Sequence, residues 1–381
     1  MEPRCDQIRV PVGDHCDYYM LNTRIFRVPD YYPAFACKCG DCRHTCCHGW
    51  TITVSMTEYF KLTGMNCSPG LRRSLDCALM PVDSPAPERY AAFNFDWRGD
   101  CRLHRECDGL CAIQRECGED ALPAICRMYP RAVHTRWAYE CSVSCGCEAV
   151  SDLLIARGGE LTFTEVELPV PPETERSAHS DFITEIYIPV REKCLALLQD
   201  RRFSLEERLA ALDSFASAVD DAIAASDRVA ILRALDSLNF ANKIEAFDLN
   251  AAKLLANYYA SHSPTLAPYA RAAAEYYGTG NAVDTVLTDR DLTAQKYLEA
   301  EARRPGFDLA AENLLANELF HSMFPFNAAS PRLAADALRA LYLLLRYITA
   351  AADDSAYAVF RVADNSDFAA IAPRLLRGAK R

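Results

Sequence analysis

The segment FACKCGDCRHTCCHGW, residues 35–50, places five cysteines within eleven residues. So many thiols in so short a stretch come to one point only around a metal ion or a metal cluster. Neighbouring side chains point apart in extended chain, so the adjacent pair Cys46 and Cys47 fits a cluster of several irons, or two nearby sites, better than one ion. Gly40 and Gly49 supply the backbone freedom that such tight wrapping needs. The segment therefore predicts a metal centre.

The other cysteines strengthen this prediction. The chain has 18 cysteines, of which 17 precede residue 148, and a second group follows the first after a gap. That second group is Cys101, Cys107, Cys111, Cys117, Cys126, Cys141, Cys145 and Cys147. No apolar export segment opens the sequence, so we expect reduced thiols in the cytoplasm rather than disulfides. An iron–sulfur cluster fits best. Zinc is the alternative because His44 and His48 lie among the thiols, although a hydrogen-bonding role suits both histidines better.

Composition excludes other classes of protein. The formal net charge of −11 argues against a general nucleic-acid binder, because phosphate binding needs a cationic surface. The most apolar stretch, residues 333–351, is interrupted by Asp336, Arg339 and Arg346. We therefore read it as a buried helix and expect no transmembrane segment.

Patterning changes sharply along the chain. Residues 160–170 alternate apolar and polar side chains, which predicts a strand. From Phe182 onward the sequence is alanine-rich and helical, and Ser204 and Glu207 form a capping box at one helix start. We expect a mainly α protein, in which a small irregular cysteine-rich metal-binding domain precedes an all-α helical domain. The predicted divisions are a disordered or mis-annotated extension at 1–24, an iron–sulfur domain at 25–170, a linker at 171–181 and a helical domain at 182–381. The further predicted helices are 227–239, 245–260, 265–277, 291–303, 308–323 and 332–351.

The segment Cys126-Arg-Met-Tyr-Pro-Arg131 places a thiol before an arginine and a turn proline. It is either a structural corner, with Arg131 pairing a local carboxylate, or a cationic, aromatic-lined edge beside a cluster.

Together these segments resemble the flagellin lysine-N-methylase family, and the zinc- or iron-chelating cysteine-cluster domain that it contains. The family pattern F-x-C-x4-C-x3-C-C-x-G-W falls on Phe35, Cys37, Cys42, Cys46, Cys47, Gly49 and Trp50. A family block ending in C-x-x-Y-P-R falls on Cys101, Leu110, Cys111, Gly118, Leu122 and Cys126 to Arg131. The family's S-C-P-E-x-A is similar to residues 144–149, and its N-Y-L…N…F-P-F segment to residues 312–326.

The resemblance implies an enzyme that methylates protein lysine side chains. It implies S-adenosylmethionine as the methyl donor, a 4Fe–4S cluster with zinc as the alternative, and flagellin as the acceptor. It also implies a set of metal ligands: Cys37, Cys42, Cys46, Cys47, Cys101, Cys111, Cys126 and Cys145. Several cysteines lie off the family pattern: Cys39, Cys107, Cys117, Cys141 and Cys147.

Two common donor sites are missing from the sequence. No G-x-G-x-G loop follows an apolar strand, and Gly49 stands where C-x3-C-x2-C would need a third cysteine after Cys42 and Cys46. A cluster with an open iron could bind the donor, or the cluster could be structural. For methyl transfer, Tyr129 is the candidate to orient or deprotonate the lysine and Arg131 to hold the donor carboxylate. The alternative function is a non-enzymatic metal-binding or partner-binding protein.

Overall fold

A computed structural model describes residues 22–170, 182–237, 248–278, 306–352 and 354–379. Seven strands lie in these ranges: β1 Asn22–Pro29, β2 Thr53–Val54, β3 Leu79–Ala86, β4 Arg89–Phe93, β5 Arg131–His134, β6 Glu140–Val143 and β7 Phe163–Val170. Fourteen helices lie there too: α1 Met56–Gly64, α2 Pro69–Ala78, α3 Ala112–Cys117, α4 Ala124–Met128, α5 Glu148–Ile155, α6 Phe182–Leu198, α7 Leu205–Ala224, α8 Arg228–Asp236, α9 Leu249–Ala260, α10 Ala267–Tyr276, α11 Phe307–His321, α12 Pro331–Thr349, α13 Ala356–Asn365 and α14 Phe368–Ala379.

The mainly α fold class is confirmed. The capping box predicted at Ser204 and Glu207 starts α7, where the Ser204 hydroxyl accepts from the Glu207 amide and the Glu207 carboxylate accepts from the Ser204 amide. The strand predicted within 160–170 is β7. The predicted helix 291–303 and linker 171–181 lie outside the described residues, as do residues 1–21 of the predicted extension.

The chain forms two compact units, divided differently from the predicted domains. Among described residues, the cysteine unit is 33–132, and the helical unit is 22–32 together with everything from 133 onward. Residues 133–170 were predicted with the cysteines, but β7 pairs antiparallel along the whole of β1, and α5 packs against α11. The predicted extension is also too long, because residues 22–24 belong to β1.

The cysteine unit has more regular structure than its sequence suggested. Strands β2, β4 and β3 form an antiparallel sheet in that order, with Thr53 opposite Ala92 and Leu79 opposite Phe93. Ser55 caps α1 and Ser68 caps α2, whose first residue is proline. Apolar side chains from the sheet, both helices and α3 make a core: Ile52, Val54, Leu62, Leu71, Leu75, Phe93, Leu103 and Ile113.

The helical unit packs its helices around α12 and adds a sheet of order β5-β6-β1-β7. Arg346 of α12 is buried and pairs with Glu206, so the charge inside this apolar helix is compensated. A second buried pair joins Arg191 to Glu140, with the Tyr187 hydroxyl donating to the same carboxylate. No helix within the described ranges is both long and apolar enough to cross a membrane.

Candidate functional site

Two glycines bring the two cysteine groups together. A Cβ on Gly40 would lie 2.0 Å from the Asp108 carbonyl oxygen, and one on Gly109 would lie 2.4 Å from the Gly40 carbonyl oxygen. The chain segments therefore cross with their backbones in contact, which side chains would prevent. Gly109 also has φ +68°, and Gly49 has φ 80°. The backbone freedom predicted for Gly40 and Gly49 is used, and Gly109 is the partner that sequence reasoning missed.

Four thiols form one group, which we call the thiol quartet: Cys46, Cys101, Cys111 and Cys126. Each lies within electrostatic range of the other three. All four belong to the ligand set that the family resemblance implied. The thiol quartet thus contains one residue from the first cysteine block and three from the second.

Backbone contacts fix the positions of these thiols. The Cys101 amide donates to the Cys47 carbonyl at 2.8 Å, which ties the second block to the first. The Trp50 indole Nε1 donates to the Cys46 carbonyl at 2.5 Å. Cys111 stands at the start of α3 and Cys126 lies within α4. The quartet is therefore held by helices and by bonds between loops, rather than by a single flexible segment.

Burial favours the protonated form of three of these thiols, Cys101, Cys111 and Cys126. It raises the pKa of the Cys101 thiol to about 11, with a further increase from the neighbouring Cys111. It raises the pKa of Cys126 further still, and that of Cys111 in the same direction. Deprotonating several neighbouring thiols, of which Cys101 is buried and the others are partly exposed, is costly unless a positive group joins them. A metal centre would supply that charge.

The chemistry of the donor set, rather than the placement of its side chains, fits a thiolate-ligated metal group. Among the described residues, no three histidine, cysteine or acidic side chains are placed so that they could hold a metal ion. The quartet nevertheless offers four soft sulfur donors on secondary structure and adjoining loops, and four thiolates are the ligand set of both 4Fe–4S clusters and structural zinc. The residues therefore suit either of the two predicted groups.

The other predicted ligands lie in different surroundings. The Cys37 thiol accepts from the Cys39 amide at 3.2 Å. Its pKa is lowered to about 6, chiefly by hydrogen bonding from Cys39 and also by Arg131. Cys42 and Cys47 are partly exposed, and Cys47 packs against the core of the cysteine unit. Their ligation stays a prediction.

Cys145 belongs to the helical unit, unlike the quartet. It is fully buried and accepts from the Asn317 side-chain amide at 3.2 Å. Burial raises its pKa well above the usual range, and Glu318 and Asp364 add to the effect. These surroundings favour a neutral thiol in a packed core.

Tyr129 and Arg131 have structural contacts within the cysteine unit. The Tyr129 ring packs against Trp50, with ring centroids 5.5 Å apart. Arg131 donates from Nη2 to the Phe35 carbonyl at 2.8 Å, and its guanidinium lies 5.1 Å from the centre of the Phe35 ring. These contacts are with a backbone carbonyl and aromatic rings, and they do not decide between the structural corner and the aromatic-lined edge that the sequence allowed. The catalytic roles of both residues stay predictions.

A cavity in the helical unit was not expected from the sequence. Its volume is about 340 Å³, and it lies among α11, α12, α13 and α14 and their connections. Two of its lining carboxyls, Glu318 and Asp364, are buried deeply enough for burial to raise the pKa of each. We call this space the acid cavity. Its sequence signal was Glu318, the one charged residue in the mostly apolar run LLANELF, residues 314–320.

A chain of polar side chains runs from the sheet to the acid cavity. The Ser142 hydroxyl lies 3.1 Å from His134 Nε2 and 2.9 Å from His321 Nδ1. His321 Nε2 lies 4.0 Å from an Asp364 oxygen. The Ser144 hydroxyl donates to the other Asp364 oxygen. Asp364 is thus held from two sides.

Comparison with known proteins shows a partial similarity. Residues 191–354 match the model of the FliB lysine N-methylase C-terminal domain. The chain is therefore similar to lysine N-methylases over this segment, which is less than half of its length. The lysine-N-methylase of Salmonella choleraesuis strain SC-B67 is 26% identical over 201 residues, covering 49% of this chain and 45% of that protein. The lysine-N-methylase of Salmonella typhimurium strain LT2 is 25% identical over 201 residues, with the same coverage.

A further relative is the flagellar biosynthetic protein FliU of Salmonella muenchen, which is 26% identical over 136 residues, covering 33% of this chain and 75% of that protein. No solved structure matches the chain significantly. The chain spans about half the length of the two lysine-N-methylases, 45% of each. Glu318 and His321 lie inside the matched segment and Asp364 lies beyond it, while the quartet precedes it.

Proposed function

We propose that this protein transfers methyl groups from S-adenosylmethionine to lysine side chains of a flagellar protein, flagellin being the candidate. The match of residues 191–354 to the FliB lysine N-methylase C-terminal domain carries this proposal. The names of two relatives, lysine-N-methylase, support the reaction, and the name of the third supports a flagellar context.

We further propose that the thiol quartet holds a 4Fe–4S cluster, with zinc as the alternative. Support comes from the donor set, because Cys46, Cys101, Cys111 and Cys126 offer sulfur alone. Bound there, a cluster would supply a thiolate-ligated iron centre and would stabilise the cysteine unit. The chain's own residues position the thiols and exclude water from them.

The test is methyl transfer by the full chain, purified without oxygen. The protein is incubated with methyl-labelled S-adenosylmethionine and flagellin, and labelled lysine is sought after hydrolysis. We expect labelled lysine that depends on the protein. A metal-loaded, folded protein that leaves several flagellins unlabelled would contradict the reaction and favour a non-enzymatic role.

Metal analysis of the same samples tests the cluster separately. Iron with acid-labile sulfide is expected, and stoichiometric zinc without sulfide would assign the quartet to zinc. Cys126→Ser should lose the metal. Cys77→Ser is the matched control, because Cys77 is exposed, lies in α2 and is outside the implied ligand set.

A further inference from the structure

The acid cavity is an anionic site within an apolar wall. Among the described residues that line it, three are carboxylic acids, Glu318, Asp364 and Asp367, and none is lysine or arginine. Glu318 is only 9% exposed, and its Oε2 atom has no hydrogen-bond partner in the protein. An unsatisfied buried carboxyl oxygen is costly. Because Glu318 belongs to the cavity lining, a cationic or hydrogen-bond-donating ligand there would satisfy its carboxyl group.

The two inner carboxyls differ in how they are held. The Ser144 hydroxyl donates to Asp364, and the Ser144 oxygen in turn accepts from the Gly146 amide at 2.8 Å. Asp364 is therefore fixed in place. Glu318, by contrast, has a buried oxygen without a hydrogen-bond partner in the protein. Because these carboxyls lie close enough for Asp364 to raise the pKa of Glu318, a cation near both would relieve their repulsion.

The remaining wall suits an alkyl chain. Phe324, Leu338, Leu341 and Phe368 line the cavity. The volume of about 340 Å³ is at the lower end of the range for small-molecule pockets, roughly 300–1,000 Å³. That volume is ample for one extended side chain. The lining combines apolar side chains with carboxyl groups, which are the two kinds of surface that four methylenes and a terminal ammonium group would contact.

We propose that the acid cavity takes the side chain of the acceptor lysine, and that Glu318 receives the proton of its ammonium group. This assignment rests on the proposed methyl transfer and names the site of its acceptor. Asp364 is a positioning residue that places negative charge beside the ammonium. The raised pKa of Glu318 supports the role, because a carboxylate with a higher pKa is a stronger base.

The reaction balances with these groups alone. The proton moves from the lysine ammonium to the Glu318 carboxylate, which leaves a lone pair on nitrogen. That pair forms the bond from nitrogen to the methyl carbon of the donor sulfonium. The bond from sulfur to the same carbon breaks, and its electrons stay on sulfur, so the products are a methylated ammonium and a neutral thioether.

Binding of two matched probes to the metal-loaded full chain tests the site. The probes are the N-acetyl methylamides of lysine and of norleucine. Their alkyl side chains are similar, but only the lysine probe carries an ammonium group. Saturation-transfer NMR gives the affinity of each probe. We expect a preference for lysine of at least about tenfold, as for a hydrogen bond to a charged group. Glu318→Gln should abolish it. Glu275→Gln should keep it, because Glu275 is exposed on α10 and does not line the cavity.

Equal lysine preference in wild type and Glu318→Gln would overturn the proposal. So would displacement of the lysine probe by S-adenosylmethionine, which would assign the cavity to the donor. If circular dichroism shows that Glu318→Gln is unfolded, Ala337→Leu decides, since Ala337 lines the cavity and a larger side chain fills it. Blocked lysine binding then supports the proposal, and unchanged binding overturns it. Lysine preference without methyl transfer would contradict the proposed function and leave the amine site supported.

Discussion

His134 begins the polar chain that leads to the acid cavity, and its shifted pKa gives a quantitative prediction. Burial lowers the pKa of its imidazole from 6.5 to about 4, and the neighbouring His321 lowers it further in the same direction. The folded protein therefore holds His134 neutral at pH values where the unfolded chain binds a proton. Stability from this group is present above pH 6.5 and is lost as pH falls toward 4.

The size of the loss follows from the two pKa values. Between pH 7 and pH 5, linkage gives a decrease of about 2 kcal/mol in the free energy of unfolding from His134 alone. Below pH 4 the loss levels off at about 3 kcal/mol. His134→Gln retains a hydrogen-bonding side chain next to Ser142 and does not titrate. Between pH 7 and pH 5, the free energy of unfolding of His134→Gln should therefore decrease by about 2 kcal/mol less than that of the wild type.

Two measurements check this reasoning. NMR of histidine labelled at the ring carbon gives the pKa directly, and the His134 signal is the one that disappears in His134→Gln. Urea denaturation of both proteins at pH 7 and pH 5 gives the stability difference. A His134 pKa near 6.5, or the same acid sensitivity in both proteins, would refute the account of this buried imidazole.

Three further predictions test packing and charge. Gly109→Ala should destabilise the cysteine unit by at least about 2 kcal/mol, because its Cβ would meet the Gly40 backbone and its φ is positive. Gly64→Ala is the control, because a Cβ on Gly64 would have open space, and its melting temperature should be close to that of the wild type. Equal melting temperatures of the two variants would contradict the close crossing. Glu140→Gln should cost about 3 kcal/mol in urea unfolding, because it removes the closest carboxylate partner of the buried Arg191 and leaves the more distant Glu192, at 3.6 Å; a cost as small as that of Glu106→Gln in an exposed pair would be evidence against the buried pair. Cys126→Ser should lower the melting temperature of the metal-loaded protein far more than Cys77→Ser, and equal melting would remove Cys126 from the metal centre.

Local signals in the sequence predicted local structure well. The capping box at Ser204 started α7, and the apolar run predicted as a buried helix at 332–351 is α12, Pro331–Thr349. These features depend on residues a few positions apart. The pairing of β1 with β7 joins residues more than a hundred positions apart, and β1 carries no strong pattern of its own. The sequence therefore placed residues 133–170 with the cysteines rather than with the helices.

For the candidate sites, too, the sequence predicted local features but not the contacts between distant residues. Cysteine density predicted a metal centre, but the grouping of four of the eight implied ligands depends on the crossing of Gly40 and Gly109, which the sequence does not show. Ligation by all eight stays a prediction. Cys145 matched the family pattern, yet its partners are Asn317 and other residues of the helical unit. The acid cavity needed three-dimensional contacts, because Glu318 and Asp364 come from different helices and neither forms a motif alone.

The most direct test of the proposed lysine methyl transfer is methylation of flagellin in cells. Flagellin is produced in a bacterium that lacks its own lysine methylase, together with the wild-type chain, with Cys126→Ser or with Cys77→Ser, and its peptides are analysed by tandem mass spectrometry. We expect methyl groups on lysine residues of flagellin with the wild type and with Cys77→Ser, and none with Cys126→Ser. Unmodified lysines in the presence of folded, metal-loaded wild-type protein would contradict the proposed methyl transfer.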